Sequence, residues 1–182
     1  MDKIILGLLI LKPRTIYGLI KRIKEGLDLM YSCSTGSVQA ALKKLLKGGY
    51  IYSESVAEGG RIKKIYSVTP AGREYFDRWV NAGFETRTHK SPELAKVYFM
   101  GLASDAAAVK NIEGYVSELE EIYKKLESVC SQGYKLLGNR PENRLPYFQL
   151  KSAEYGRDFM RFNIDWYKKF LKELEGEKYA GK

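Results

Sequence analysis

The residues that can do chemistry in this sequence are suited to gripping a partner rather than to making or breaking bonds. Gly36, Gln39, Ala40, Lys43 and Lys47 recur at three- and four-residue steps, the spacing of one helix face. That face is small and polar at its start and cationic further on. Small side chains let a helix end approach a base edge closely. A carboxamide such as Gln39 offers a donor and an acceptor to adenine in the major groove, and lysines meet phosphates. Ser34 stands where it can cap the helix by accepting a backbone N–H. Val38, Ala41, Leu42 and Leu45 form the opposite, buried stripe. Taken alone, the same pattern also fits an ordinary amphipathic helix with a solvated face.

No comparable set exists for catalysis. The only histidine is His89, and no Ser/His/Asp arrangement, metal-ligand cluster or phosphate-cradling glycine loop accompanies it. Cys33 and Cys130 lie far apart and match neither a zinc nor a redox spacing. Glu120 and Glu121 fall on a long helical stretch and read as its wet face. The chain is therefore read as no enzyme, with no cofactor and no metal. Four aromatics, Trp79, Tyr98, Phe159 and Trp166, are candidates to line a cavity between the two halves of the chain. Aromatics at helical spacing serve a core or a dimer interface equally well.

The charge is divided unevenly. Residues 1–90 carry 16 lysines and arginines against 8 aspartates and glutamates, whereas residues 91–182 carry 15 against 14. A basic half beside a neutral half points to a polyanion-binding module joined to something else. A membrane surface is the other candidate polyanion, but no basic helix carries large apolar anchors on its free face. Pro13 and Arg14 cut the first apolar run short of a signal peptide, and no run is long enough to span a bilayer. The expected location is the cytoplasm.

The elements that position the gripping face follow in order. Met1 to Leu11 reads as a helix with Ile5, Leu8 and Leu9 on one side, ended by Pro13. Thr15 opens a second helix carrying Ile16, Ile20, Ile23 and Leu27 inward and Lys21, Arg22 and Lys24 outward. The Ser34-capped helix comes third and stops at Gly48-Gly49. The period then changes from helical to alternating. Tyr50–Ala57 and Ile62–Val68 read as two strands around the turn Glu58-Gly59-Gly60, with Arg61, Lys63 and Lys64 near the tip. Thr69-Pro70 starts a further helix with Tyr75, Phe76, Trp79 and Val80. Three helices, a basic-tipped hairpin and another helix make the order of a winged helix-turn-helix. In that fold the third helix enters the major groove and the second crosses the backbone.

The residues also resemble a family. Ile5-Leu6-Gly7-Leu8-Leu9, Tyr17-Gly18 with Ile20, Lys21 and Ile23, Gly36-Ser37 with Leu42-Lys43-Lys44-Leu45, Gly49-Tyr50-Ile51, and Gly60-Arg61 with Lys64, Tyr66, Thr69, Gly72 and Arg73 are similar to the PadR family of transcriptional regulators over about the first 80 residues. One departure falls on the gripping face: where the family usually has Tyr-Pro, this chain has Gln39-Ala40. The resemblance implies double-stranded DNA as partner. The DNA-facing set is then Tyr17 and Lys21 on the second helix, Ser34, Thr35, Ser37, Gln39, Ala40, Lys43 and Lys44 on the third, and Arg61, Lys63 and Lys64 on the wing.

The second half is helical. Ser91-Pro92 opens a short helix with Leu94, Val97, Tyr98 and Met100. Ser104-Asp105 caps a long helix to about Leu137, with Ile112, Tyr115, Leu119, Ile122, Leu126, Val129 and Gly133 close to a heptad pattern. Gly138–Pro146 reads as a loop. A last helix presents Phe148, Tyr155, Phe159, Phe162, Trp166 and Phe170 on one side. Phe148-Gln149-Leu150, Tyr155-Gly156 and Trp166 resemble the C-terminal helical domain of the longer PadR-type regulators. The resemblance implies a homodimer and a small aromatic or hydrophobic effector, for which Trp79, Tyr98, Phe159 and Trp166 are the candidate residues.

The expected fold is mainly α with a small β-hairpin. Residues 1–85 form the winged helix-turn-helix domain, and residues 86–182 form a coiled-coil-like antiparallel helical domain that dimerises and senses an effector. The expected function is a ligand-responsive repressor acting as a homodimer on a roughly palindromic operator. Two other readings stay open: a winged-helix protein-interaction module, and a ligand sensor without specific DNA binding.

Overall fold

The computed structural model describes residues 1–26, 34–58, 61–84, 91–138 and 144–176. The chain divides into two units, Met1–Arg87 and Thr88–Lys182. His89, Cys33, Leu27 and the Gly59-Gly60 turn lie outside the described residues.

The first unit contains α1 (Asp2–Leu11), α2 (Ile16–Gly26), α3 (Thr35–Lys47), the antiparallel pair β1 (Ile51–Glu58) and β2 (Arg61–Val68), and α4 (Pro70–Val80). Three of these helices, α2, α3 and α4, start at a hydroxyl cap. The Thr15 hydroxyl accepts the Gly18 N–H at 3.1 Å. Gly49 stops the turn after α3 with φ of 69°, a conformation that costs glycine nothing. The Thr69 hydroxyl works twice: it accepts the Gly72 N–H at 3.1 Å to cap α4 and donates to the Gly49 carbonyl at 2.7 Å. One side chain thus ties the exit of α3 to the entry of α4.

The core of this unit gathers one stripe from each helix. Ile5, Leu6, Leu8 and Leu9 of α1, Leu19 and Ile23 of α2, and Val38, Ala41, Leu42 and Leu45 of α3 are buried together with Ile51. Leu6 and Leu19 are fully buried although the inward rows expected for α1 and α2 omit them. A short helix enclosed by three others and a hairpin buries more than one narrow stripe.

In the second unit, α5 (Pro92–Phe99) leads through a 3-10 turn, Met100–Leu102, to α6 (Asp105–Leu137) and α7 (Arg144–Glu175). The 33 residues of α6 span about 50 Å. Its contacts with α7 run in opposite senses along the two chains, so the helices are antiparallel. Leu150 fills the space a Gly133 side chain would occupy, Glu154 accepts from the Tyr134 hydroxyl at 2.7 Å, Arg161 bonds Tyr123, and Lys168 pairs with Glu120 at 2.6 Å.

The structure corrects two expectations here, the loop after α6 and the row that α6 buries, and shows which way the aromatic row of α7 faces. The loop after α6 is shorter than expected, because α7 starts at Arg144 and takes in Pro146. Proline fits the first turn of a helix because its missing N–H would have no intrahelical partner there. On α6, Val116 and Cys130 are buried and Val129 is exposed, since a straight helix drifts from a strict heptad row. On α7 the expected aromatic row is largely outward. Phe148, Tyr155, Phe162 and Trp166 are 56%, 74%, 63% and 40% exposed, whereas Leu150, Ile164 and Tyr167 face the core. Phe170 alone of the six packs into the core cluster. Both rows repeat at heptad spacing, so periodicity could not decide which one meets α6.

Gly72 is the tightest backbone approach in the first unit: a Cβ there would stand 1.9 Å from the Tyr50 carbonyl oxygen. Gly72→Ala is expected to destabilise this unit by about 3 kcal/mol, because backbone and not a pliant side chain must move. Gly83→Ala, with nothing within 4 Å of the added carbon, is expected to stay near wild type. Denaturant unfolding of both variants checks this, and equal midpoints would contradict the packing argument.

Candidate nucleic-acid interface

The interface is built around α3. Ser34 and Ser37 close a capping box: the Ser34 hydroxyl accepts the Ser37 N–H at 3.1 Å, and the Ser37 hydroxyl accepts the Ser34 N–H at 3.2 Å. The Ser37 hydroxyl also donates to the Ser34 carbonyl at 2.8 Å. Both side chains therefore hold the helix start in the free chain. With Val38, Ala41, Leu42 and Leu45 buried, the helix can present only its other side, and Gly36, Gln39, Ala40, Lys43 and Lys47 are all exposed. Thr35 is exposed at the first turn. Among the described residues Lys43 and Lys47 have no carboxylate partner.

Lys44 is placed differently. Its ammonium pairs with Asp2 of α1 at 2.7 Å. The hydrogen bond to that carboxylate, reinforced by its charge, pushes the lysine above its ordinary range. Lys44 ties the recognition helix to the first helix of the same unit. On α2, Tyr17 stands 76% exposed, and Lys21 lies 3.8 Å from Glu25 one turn on.

The wing separates its cations. The register sets Ser55 opposite Lys64 and Val56 opposite Lys63. Side chains alternate across a strand, so Lys64 shares the side of Tyr66 and Val68, which pack on the core, and Lys63 takes the other. Arg61 pairs with Glu58 at the end of the hairpin, and its side chain lies outside the described part. A residue missing from the expected set anchors the wing. Arg14 exchanges two backbone hydrogen bonds with Tyr66, at 3.1 and 2.9 Å, joining the α1–α2 connection to β2. Its Nε is buried with no hydrogen-bond partner among the described residues. In the sequence Pro13-Arg14 signals only a helix end.

The four candidate effector residues fall in both units, Trp79 in the first and Tyr98, Phe159 and Trp166 in the second. Trp79 lines an open cleft of about 510 Å³ in the first unit, with Lys3, Tyr50, Tyr75 and Arg78. Phe159 lines a cavity of about 220 Å³ in the second unit, beside Tyr115, Met160 and Asn163. Tyr98 and Trp166 do not line it: Tyr98 stands edge-on to Phe99, and Trp166 packs on Tyr167 and Phe170. Glu120 and Glu121 each hold a lysine, Lys168 and Lys124, which is ion pairing on a helix surface. Burial pushes the Cys130 thiol up, away from a reactive thiolate. No described group of histidine, cysteine, aspartate and glutamate residues is arranged to hold a metal ion. No helix among the described residues is long and apolar enough to cross a membrane.

The geometry so far is an exposed, capped helix beside a basic hairpin, followed by a helical pair, and known proteins share both parts. Residues 5–78 match the family model described as the transcriptional regulator PadR-like family, and residues 89–175 match the one described as the virulence activator alpha C-terminal domain. A Bacillus subtilis protein described as the negative transcriptional regulator PadR is 27% identical over 131 residues, covering 67% of this chain and 72% of that protein. The crystal structure of Bacillus subtilis PadR in complex with operator DNA superposes with a TM-score of 0.79 at 20% identity, over 95% of this chain and 98% of that one. The Vibrio cholerae virulence activator AphA superposes with a TM-score of 0.75 at 18% identity, over 96% and 97%. With the two family models laid end to end along its length, the chain carries a domain of the PadR-like transcriptional regulator family followed by a C-terminal domain of the virulence activator alpha type.

Proposed function

We propose that this chain is a homodimeric, ligand-responsive repressor that acts in the cytoplasm on a roughly palindromic operator. Residues 1–85 read the DNA, and residues 86–182 dimerise and sense an effector. The observation that carries the reading is the face α3 leaves to solvent: Gly36, Gln39 and Ala40 at the end that enters the groove, and Lys43 and Lys47 behind them. An interaction module using the same helix would present an apolar face, and the two lysines argue against one. Binding of operator DNA by the Bacillus relative, and its description as a negative regulator, support the repressor reading.

The dimer is assigned to the outward row of α7. Phe148, Tyr155 and Phe162 repeat at seven-residue intervals, and Trp166 follows four residues on. This is a seam that one helical pair leaves uncovered and a second copy would bury. Two winged units related by a two-fold axis then address two half-sites, with spacing set by the dimer. The cavities at Trp79 and Phe159 support ligand response.

Fluorescence anisotropy tests the DNA reading, with the DNA immediately upstream of the gene and a scrambled duplex compared at two salt concentrations. Gln39→Ala is expected to change the preferred bases. Lys64→Ala is expected to weaken every sequence and lower the salt slope by about one unit, with a smaller change for Lys63→Ala on the other side of the wing. If all three variants scale affinity uniformly and leave the slope alone, the assignment fails.

Sedimentation tests the assembly. Phe162→Glu is expected to give a monomer of unchanged helical content. A dimer of unchanged affinity would place the interface elsewhere.

A further inference from the structure

The cleft at Trp79 has a composition that the DNA-reading face does not explain. Lys3 and Arg78 bring two positive charges to it, and three aromatics complete the lining. Neither cation is neutralised: among the described residues Lys3 has no carboxylate partner and Arg78 has neither an ion pair nor a hydrogen bond. Lys3 donates to the Tyr75 carbonyl at 3.1 Å and lies over the Tyr75 ring. The other face of that ring stacks on Tyr50, with centroids 4.5 Å apart. Tyr75 is covered on both sides, so the free aromatic surface is Trp79, which only tilts against Phe76 and remains half exposed.

We propose that this cleft binds a planar aromatic phosphate monoester of mononucleotide size. Two uncompensated cations match a dianion, whereas a monocarboxylate would leave one of them unmatched. Arg78 can grip phosphate oxygens through two N–H groups and Lys3 as a point charge. The ring stacks on Trp79, an interaction that tolerates any base because every base has a π-face. The cleft, of about 510 Å³, is open to solvent, and its cationic lining suits a polar ligand.

The site adjoins the recognition helix. Asp2 precedes Lys3 in the chain and holds Lys44 of α3. A phosphate at Lys3 therefore adds negative charge one residue along α1 from the Asp2–Lys44 pair. This regulatory consequence rests on the repressor reading given above, whereas the binding itself does not. Coupling of this kind is reciprocal: whatever factor the ligand takes from DNA affinity, DNA takes from ligand affinity.

Calorimetry on the full-length protein without DNA tests the site, with adenosine 5′-monophosphate, adenosine, inorganic phosphate and 4-hydroxybenzoate as probes. The monophosphate is expected to bind at least about tenfold more tightly than the other three. Lys3→Met and Arg78→Gln are each expected to weaken it by about tenfold, with circular dichroism unchanged, and Lys110→Met on α6 is expected to leave it alone. No heat from the monophosphate, equal binding by the two cleft variants, or tighter binding of the carboxylate would each overturn the proposal. Anisotropy then reads the coupling. Saturating monophosphate is expected to raise the Kd for operator DNA about fivefold, and Asp2→Asn to change that factor while ligand binding persists. An unchanged Kd would remove the regulatory role. A chain that bound the monophosphate and no DNA would keep the cleft and lose the repressor reading.

Discussion

The burial of one row of α3 governs the DNA-reading unit. Val38, Ala41, Leu42 and Leu45 are enclosed by α1, α2 and Ile51, and each large apolar side chain so enclosed contributes about 1.5–3 kcal/mol. Rotating the helix about its axis to present any other face would expose that row. The solvent face is thus fixed by the core rather than by DNA, before any partner arrives. A preorganised reading face loses less on binding than one that must order itself.

The same core fixes the wing, largely through backbone contacts. Gly72 lets α4 start against the Tyr50 carbonyl. The Thr69 hydroxyl bridges to Gly49, and Arg14 pairs with Tyr66 from the far side of the hairpin base. The strand that carries Lys63 and Lys64 is held at both its neighbours, so its pleat is not free to flip. A one-residue slip in register would exchange the two lysines between faces. In the proposed DNA reading, the contribution of the wing depends on that register as much as on the presence of the charges.

Much of the fold was legible in the sequence, because capped helices and alternating strands leave local marks. Ser34, Thr69-Pro70 and Ser104 each begin a helix where their residue type says they should, and the two strands pair as expected to within a residue. What was not legible depends on contacts between distant residues. Lys44 looks like any other lysine beside a cationic face until Asp2 is found 42 positions earlier in the chain and 2.7 Å away in space. Arg14 is a loop residue until β2 arrives to pair with it. On α7 the sequence offers two heptad rows, and only the fit of Leu150 against Gly133 shows which one packs inward. Periodicity reports that a face is apolar, and the identity of its cover is a property of the whole fold.

The second unit shows how polar groups select among such covers. Arg157 is largely buried between the two helices, near Glu127 of α6 at 3.8 Å and bonded to Asp158 of α7 at 2.9 Å. The Asp158 hydrogen bond raises its basicity further. A guanidinium in that position is expensive unless its partners stand in place. Sliding α7 along α6 by one turn would leave the apolar rows largely matched but would remove Glu127 from Arg157 and Glu154 from Tyr134. Swapping the inner row for the aromatic outer one would carry Arg157 into water and pack Phe148, Tyr155 and Phe162 against a surface shaped for Leu150. The polar layer and the glycine contact therefore select one register and one face. The aromatic row is left outward as a consequence of that selection.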